Sequence, residues 1–171
     1  MTTPVLRDEV HRSLFLAGQV RRWHTWPTIR QPNNAEHSWG LCVIFIQVFG
    51  LPRAEVLQWM LYHDCGEQWA GDMPFGGKAS VPGLRSNLNE AEAQGREKNG
   101  AVLPLLTTQE YSRVKLCDHL EMWEFACMEH NLGNQYMLDP MEDVKRGINE
   151  MAHDPEDAQR VWDWISQREA Q

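Results

Sequence analysis

The sequence lacks the features that would place the protein in a membrane or send it out of the cell. Its longest strongly apolar stretch, residues 41–50, is interrupted by Gln47 and has about half the length that a membrane span needs. Residues 1–20 carry charges and no central apolar block, so we expect no signal peptide. No Cys-x-x-Cys pair occurs. We interpret the cysteines as reduced core residues of a cytoplasmic protein. They are Cys42, Cys65, Cys117 and Cys127.

Positive charge is also scarce. The chain has 16 Lys and Arg against 24 Asp and Glu, which gives a formal net charge of −8. A protein that grips duplex DNA needs many cations on one face, so we expect no duplex nucleic acid as a partner. The 171 residues are 42% hydrophobic and 23% charged, which is typical of a folded domain with its own core. Because no repeat, low-complexity tract or linker is visible, we predict a single domain over residues 1–171.

No stretch alternates apolar and polar residues with the period of a strand, so we predict an all-α helical bundle. Capping signals mark several helix starts: Asn33 or Asn34, Pro52, the capping box at residues 107–110, and Pro155. The expected helices cover roughly residues 5–22, 34–50, 53–69, 84–99, 108–130, 140–152 and 155–168.

Polar side chains interrupt the apolar faces of three of these helices. His37, Asp64 and Asp118 each lie in line with apolar residues at helical spacing. A buried carboxylate without a partner is costly, so these side chains should meet a positive charge, for which a metal ion is the economical choice. His63, next to Asp64, reaches the same ion only from the inward edge of the helix. Two imidazoles and two carboxylates suit Zn, Mn, Co or Fe. Taken singly, each residue could instead be an ordinary core histidine or a helix-boundary acid.

Two further residues are candidates for catalysis or anion binding. Glu67 follows His63 by four residues, where it could orient or deprotonate a water at the metal or simply be a solvated acid at a helix end. Lys78 closes a glycine-rich segment that is not a phosphate-binding P-loop, because Gly77 stands where that motif requires lysine. Lys78 could meet an anion or remain solvated.

The aromatic residues fall into two groups. Residues 21–26 combine arginines with tryptophans, an arrangement that can hold a nucleotide through phosphate and base but that also occurs in cores and interfaces. Trp162 and Trp164, near the end of the last predicted helix, fit a core edge or a subunit contact better than they fit chemistry.

Five short motifs occur in a characteristic order. They are Arg22-Trp23, Asn34-Ala35-Glu36-His37-Ser38, His63-Asp64-x-x-Glu67, Gly71-Asp72-Met73-Pro74-x-x-x-Lys78 and Lys115-x-x-Asp118. Together they resemble the HD-domain phosphohydrolases, whose fold is an HD-type helical bundle. Within that class the pattern is similar to the small 5′-deoxynucleotidases and to related short phage enzymes that hydrolyse dATP. The resemblance runs from about residue 20 to residue 125.

The resemblance implies roles by position. Glu67 would be the catalytic acid/base near the attacking water, and Asp72 would orient that water or the sugar. Arg22 and Lys78 would bind phosphate oxygens. Trp23 would pack on the sugar or base and leave no room for a ribose 2′-hydroxyl. The implied metal ligands are His37, His63, Asp64 and Asp118.

The chain departs from the nucleotidase pattern in one loop and in length. Pro74 is followed by residues 75–77, Phe-Gly-Gly, where those enzymes carry Pro-Thr-Pro, so we expect a more mobile loop with altered phosphate contacts. The chain also ends sooner than a bacterial 5′-deoxynucleotidase would, which favours the phage-type enzyme.

We therefore expect a metal-dependent deoxynucleotide phosphohydrolase that uses Zn, Co or Mn. The favoured activity is hydrolysis of dATP to deoxyadenosine and triphosphate. The alternative is a 5′-deoxynucleotidase that converts a deoxynucleoside monophosphate to deoxynucleoside and phosphate. A non-catalytic nucleotide-binding module and a phosphodiester hydrolase on the same scaffold are further alternatives. We expect a deoxynucleotide as partner, no membrane association, and a homo-oligomer, because relatives self-associate.

Overall fold

The structure is a computed structural model that describes residues 14–73 and 81–170. Within these ranges the chain is helical and contains no strand, only an isolated bridge between Arg21 and Asn33. The helices are α1 (Asn34–Phe49), α2 (Ala54–Tyr62), α3 (Glu67–Ala70), α4 (Leu84–Lys98), α5 (Thr108–Asn131), α6 (Leu138–Met151) and α7 (Pro155–Glu169), with a 3₁₀ helix (Gln135–Met137) before α6. The all-α prediction is confirmed.

The chain divides into two compact units. The first comprises the described parts of Met1–Ser38 and Leu61–Leu103, and the second those of Trp39–Met60 and Pro104–Gln171. The single domain expected over residues 1–171 stays a prediction. No helix in the described ranges combines the length and the apolar character that crossing a membrane requires.

The second unit is built around α5. The predicted capping box starts this helix: the Glu110 amide donates to Thr107 Oγ1 at 3.2 Å, and the Thr107 amide donates to Glu110 Oε2 at 2.8 Å. The buried side of α5 packs against α6 and α7. Trp164 meets Trp123 edge to face at 6.1 Å between ring centroids, as expected of a residue at a core edge. The residues of this core include Leu41, Ile44, Val56, Met60, Val114, Cys117, Leu120, Trp123, Val144, Ile148, Val161 and Ile165.

A buried ion pair joins α5 to α7. The Arg113 guanidinium donates from Nε and Nη2 to the carboxylate of Asp157 at 2.8–3.0 Å, and Asp157 is 1% exposed. Asp154 caps the start of α7 by accepting from the amides of Glu156 and Asp157, and Pro155 takes the first helical position as predicted. The pair therefore fixes the start of α7 against α5.

The first unit depends on a close backbone approach between α4 and residues 63–70. A Cβ at Gly66 would lie 2.0 Å from the carbonyl oxygen of Glu92, and a Cβ at Gly95 would lie 2.6 Å from the carbonyl oxygen of Gly66. Only glycine fits at both positions. A small buried cluster of Ala17, Cys65 and Ala101 completes the packing of this unit.

Two predicted helices differ from the structure. The helix expected over residues 53–69 is broken: α2 ends at Tyr62, residues 63–66 form a turn, and α3 begins at Glu67. The break brings Gly66 against α4, a contact that the helical periodicity of the sequence cannot predict. The helix expected over residues 5–22 extends only to residue 17 within the described chain, because the carbonyls of Gly18 and Val20 accept from the first amides of α1 instead. Its beginning lies outside the described residues.

Candidate functional site

The start of α1 places the first site residues. Asn33 caps the helix by accepting from the Glu36 amide at 3.0 Å. One turn later His37 points into the protein and is 1% exposed. The apolar residues in line with it along α1 are buried as predicted: Leu41, Ile44 and Val48.

His63 and Asp64 lie in the turn between α2 and α3, so the prediction that both stand on one helix is wrong. The turn directs the two neighbouring side chains to one point, which consecutive helical positions would separate by about 100°. Asp64 Oδ2 is 3.1 Å from His63 Nε2 and 3.6 Å from His37 Nε2. The two imidazole rings are 5.4 Å apart between centroids. Three of the four predicted ligands therefore meet inside the first unit.

Asp64 is charged in this setting. Burial by itself would raise the pKa of its carboxyl group, but the charges of His63, Arg22 and His37 and a hydrogen bond from His63 outweigh burial. The pKa of Asp64 is therefore lowered. Arg22 Nη1 donates to Asp64 Oδ2 at 2.8 Å.

The donor set fits a divalent transition metal. Two buried imidazoles flank a carboxylate oxygen, and these are ligand types that zinc and its neighbours accept in proteins. His37, His63 and Asp64 are the residues of the first unit that could hold such an ion.

Asp118, the fourth predicted ligand, belongs to the second unit. It lies on α5 and is buried, as are Val114 one turn earlier and Phe125 two turns later, whereas Tyr111 at the start of the same predicted stripe is 50% exposed. Within that unit its carboxylate Oδ2 pairs with Lys115 Nζ, three residues earlier on the same helix. Its assignment as a ligand stays a prediction.

Glu67, the first residue of α3, is 4% exposed, which excludes the alternative of a solvated acid at a helix end. Its Oε2 accepts from Asn34 Nδ2 at 3.0 Å, and Arg22 Nη1 is 3.8 Å away. Burial, followed by the negative charges of Asp64 and Asp72, raises the pKa of Glu67 to about 8, against the opposing effects of Arg22 and Asn34. A carboxyl group with this pKa exchanges protons near neutral pH.

The segment before α1 positions the other predicted substrate residues. Trp23 has a φ of +57°, and it is the one non-glycine residue of the described ranges with a positive φ. Bulky residues rarely adopt this conformation, and such strain concentrates at functional sites. His24 Nδ1 lies 3.7 Å from Asp72 Oδ2, which places Asp72 against this segment. Lys78 and the rest of residues 74–80 lie outside the described residues.

Three polar residues that hold the turn and α3 were not predicted from the sequence. Asn99 is fully buried: its Nδ2 donates to the Cys65 carbonyl at 2.8 Å and to Gln68 Oε1 at 3.0 Å, and its Oδ1 accepts from Trp69 Nε1 at 2.9 Å. Arg96 Nη1 donates to the His63 carbonyl at 3.0 Å. Asn34, which the sequence presented only as a possible cap, binds Glu67. Two adjacent asparagines at one helix start were the available signal, since only one of them caps.

The fold is similar to that of an HD phosphohydrolase of cyanophage S-2L (DatZ), solved with dA and one catalytic Zn²⁺ ion, at 21% sequence identity and a TM-score of 0.69. The similarity covers 92% of this chain and 94% of that one. No curated protein matches the chain.

The sequence identifies the family. Residues 14–159 match the model of the family described as 5′-deoxynucleotidase YfbR-like, and the chain belongs to that family. It is therefore an enzyme, a metal-dependent deoxynucleotide phosphohydrolase. This confirms the class of enzyme that the five motifs resemble and excludes the non-catalytic binding module.

Proposed function

We propose that the protein hydrolyses dATP to deoxyadenosine and triphosphate with a bound divalent metal ion, Zn, Co or Mn. One observation carries the hydrolytic part of the proposal: the buried Glu67 carboxyl group, with its raised pKa, stands beside the His37–His63–Asp64 cluster, and Arg22 contacts both Asp64 and Glu67. The choice of dATP follows the resemblance to the short phage enzymes. An acid/base next to a metal-type donor set is the arrangement that metal-assisted hydrolysis requires.

The proposed metal ligands are His37, His63, Asp64 and Asp118. When bound, a divalent ion supplies Lewis-acid chemistry and lowers the pKa of water. The assignment of His37, His63 and Asp64 is supported by their meeting within the first unit. The assignment of Asp118 is supported by its buried carboxylate and by the motif Lys115-x-x-Asp118.

The chain's own residues would carry the proton and bind the substrate. Water adds to the phosphorus next to the sugar, the bond from that phosphorus to the 5′-oxygen breaks, and the water proton that Glu67 accepts balances the proton that the 5′-oxygen gains. Arg22 supplies positive charge to the phosphate in a protein of net charge −8, and Lys78 adds to it. Asp72 orients the water or the sugar, and Trp23 packs on the deoxyribose.

A 5′-deoxynucleotidase is the second candidate, favoured by the description of the family. It uses the same residues and differs in its substrate, a deoxynucleoside monophosphate, and in its product, a single phosphate. The phage relative, which was solved with dA, is compatible with either substrate because both reactions release a deoxynucleoside.

One assay separates the two candidates. Metal-loaded protein is incubated with dATP or dAMP, with ATP and AMP as ribose controls and Glu67→Gln as the inactive control, and the nucleosides and phosphate species are resolved. Triphosphate and deoxyadenosine from dATP, with little product from dAMP, support the first proposal. Orthophosphate from dAMP with dATP intact establishes the second. Failure with every deoxynucleotide in a metal-loaded sample refutes both.

Two wider expectations belong to the same proposal. We place the enzyme in the cytoplasm, where the four free cysteines stay reduced. We also propose a homo-oligomer, which light scattering on the purified protein tests directly.

A further inference from the structure

Two consecutive asparagines begin α1, and their side chains do different things. Asn33 lies half-buried and caps the helix through the Glu36 amide. Because this cap is already provided, the side chain of Asn34 is not needed there. Asn34 is 4% exposed, and its amide group turns toward the residues of the candidate site.

The Asn34 side chain joins three segments of the first unit. Its Nδ2 donates to Glu67 Oε2 at 3.0 Å and to the carbonyl oxygen of Asp64 at 3.3 Å. Its Oδ1 accepts from Arg22 Nη1 at 3.4 Å. Arg22 itself is 3.8 Å from Glu67 Oε2, beyond hydrogen-bond distance, so Asn34 is the group that links the two.

We propose that Asn34 is a positioning residue for the hydrolysis, one that fixes the rotation of the Glu67 carboxyl group. This inference rests on the proposed function. The terminal torsion of a glutamate is broad and settles only where a partner holds it. Because Oε2 is engaged by Asn34, Oε1 is the oxygen assigned to proton exchange with the substrate.

A positioning role predicts a specific kinetic signature. Loss of the amide leaves Glu67 buried but free to rotate, so proton transfer slows while the metal donors keep their places. A misplaced catalytic group costs about 100-fold in rate. We expect kcat to fall by about that factor in Asn34→Leu, which has a similar shape and no hydrogen bonds. KM and zinc affinity should stay within about threefold of the wild-type values. For comparison, a loss of about 1.4 kcal/mol in binding free energy would change them tenfold.

The neighbouring asparagine supplies a matched control. Asn33→Ala removes the helix cap from the same end of α1 without touching Glu67, so it should lower the melting temperature and leave kcat unchanged. Asn34→Asp keeps the acceptor for Arg22 and loses the donor for Glu67, so it should lower kcat as well. It also serves if Asn34→Leu does not fold.

The experiment measures kcat, KM and zinc affinity for the wild type and the three variants. It also determines the crystal structures of the wild type and of Asn34→Leu, or of Asn34→Asp if Asn34→Leu does not fold. We expect the Glu67 carboxyl group to leave its wild-type orientation in that variant. The inference is overturned if kcat of the Asn34 variants matches that of Asn33→Ala, or if Glu67 keeps its orientation. Should the wild type hydrolyse neither dATP nor dAMP, the proposed function fails, and the crystal structures still decide whether Asn34 positions Glu67.

Discussion

A single methyl group added at Gly95 tests how strongly the site depends on the packing of α4. Gly95 lies inside α4 facing the turn that carries His63 and Asp64. A Cβ at this position would lie 2.6 Å from the carbonyl oxygen of Gly66 and 3.0 Å from its Cα. Both are backbone atoms, so no side-chain rotation relieves the overlap. Gly95→Ala must push α4 and the turn apart.

The size of the effect follows from two opposing contributions. Alanine inside a helix is favoured over glycine by about 1 kcal/mol. Overpacking a well-filled site costs about 1–3 kcal/mol, and the upper part of that range applies where the clash involves backbone. We therefore expect a net loss of roughly 1–2 kcal/mol in the free energy of unfolding. For a chain of this length that corresponds to a melting temperature lower by roughly 2–8 °C.

Gly147 offers the matched control, since it also lies inside a helix, α6. A Cβ there would be 3.4 Å from His119 Cδ2, an ordinary contact, so the helix preference for alanine should prevail and stabilise the protein by up to about 1 kcal/mol. Thermal and urea denaturation measure the expected loss of stability in Gly95→Ala and the expected gain in Gly147→Ala. Zinc affinity should weaken in Gly95→Ala alone. If Gly95→Ala is as stable as the wild type, or as stabilised as Gly147→Ala, the reasoning about the glycine contact is refuted.

Three further predictions concern charged residues. Asp118→Ala should abolish metal binding and hydrolysis together, as measured by elemental analysis and phosphate release; a metal-bound variant with full activity would contradict its assignment. In the metal-free protein the pKa of Glu67 is raised from 4.5 to about 8. Between these two pH values the folded state keeps a proton on Glu67 that the unfolded state has released. The stabilisation that protonated Glu67 contributes is fully present below pH 4.5 and is lost as the pH rises through 8. Glu67→Gln should therefore reduce the fall in melting temperature between pH 5 and pH 8. An unchanged slope would refute the raised pKa of Glu67. Arg113→Ala leaves the buried Asp157 unpaired and should cost about 3–5 kcal/mol in urea denaturation, whereas replacing both residues by apolar ones of similar size should recover much of the loss.

The sequence predicted well those features that local signals determine. Three such features appear where they were expected. They are the capping box at Thr107 and Glu110, Pro155 at the start of α7, and the buried apolar residues in line with His37 along α1. Each depends on residues within a few positions of one another, and each has a hydrogen bond or a helical period as its cause.

The turn at residues 63–66 could not be predicted in the same way. Its cause lies about thirty residues further along, where Gly95 meets Gly66 and Asn99 binds the Cys65 carbonyl. Local periodicity favoured a continuous helix through this region, and tertiary contacts override it. The error matters chemically, because the turn is what directs His63 and Asp64 to one point.

The same physics explains why the candidate ligands were found and the amides were not. A histidine or an acid inside an apolar stripe stands out because burial of its charge is costly, so the pattern itself signals a compensating partner. Asn34 and Asn99 sit among polar neighbours in the sequence, and a neutral amide there carries no such signal. Their importance comes from the groups that they bind: three chain segments meet at Asn34, and three hydrogen bonds converge on Asn99. Candidate charged residues of the site could therefore be predicted from one sequence, whereas the neutral residues that bind them required the structure.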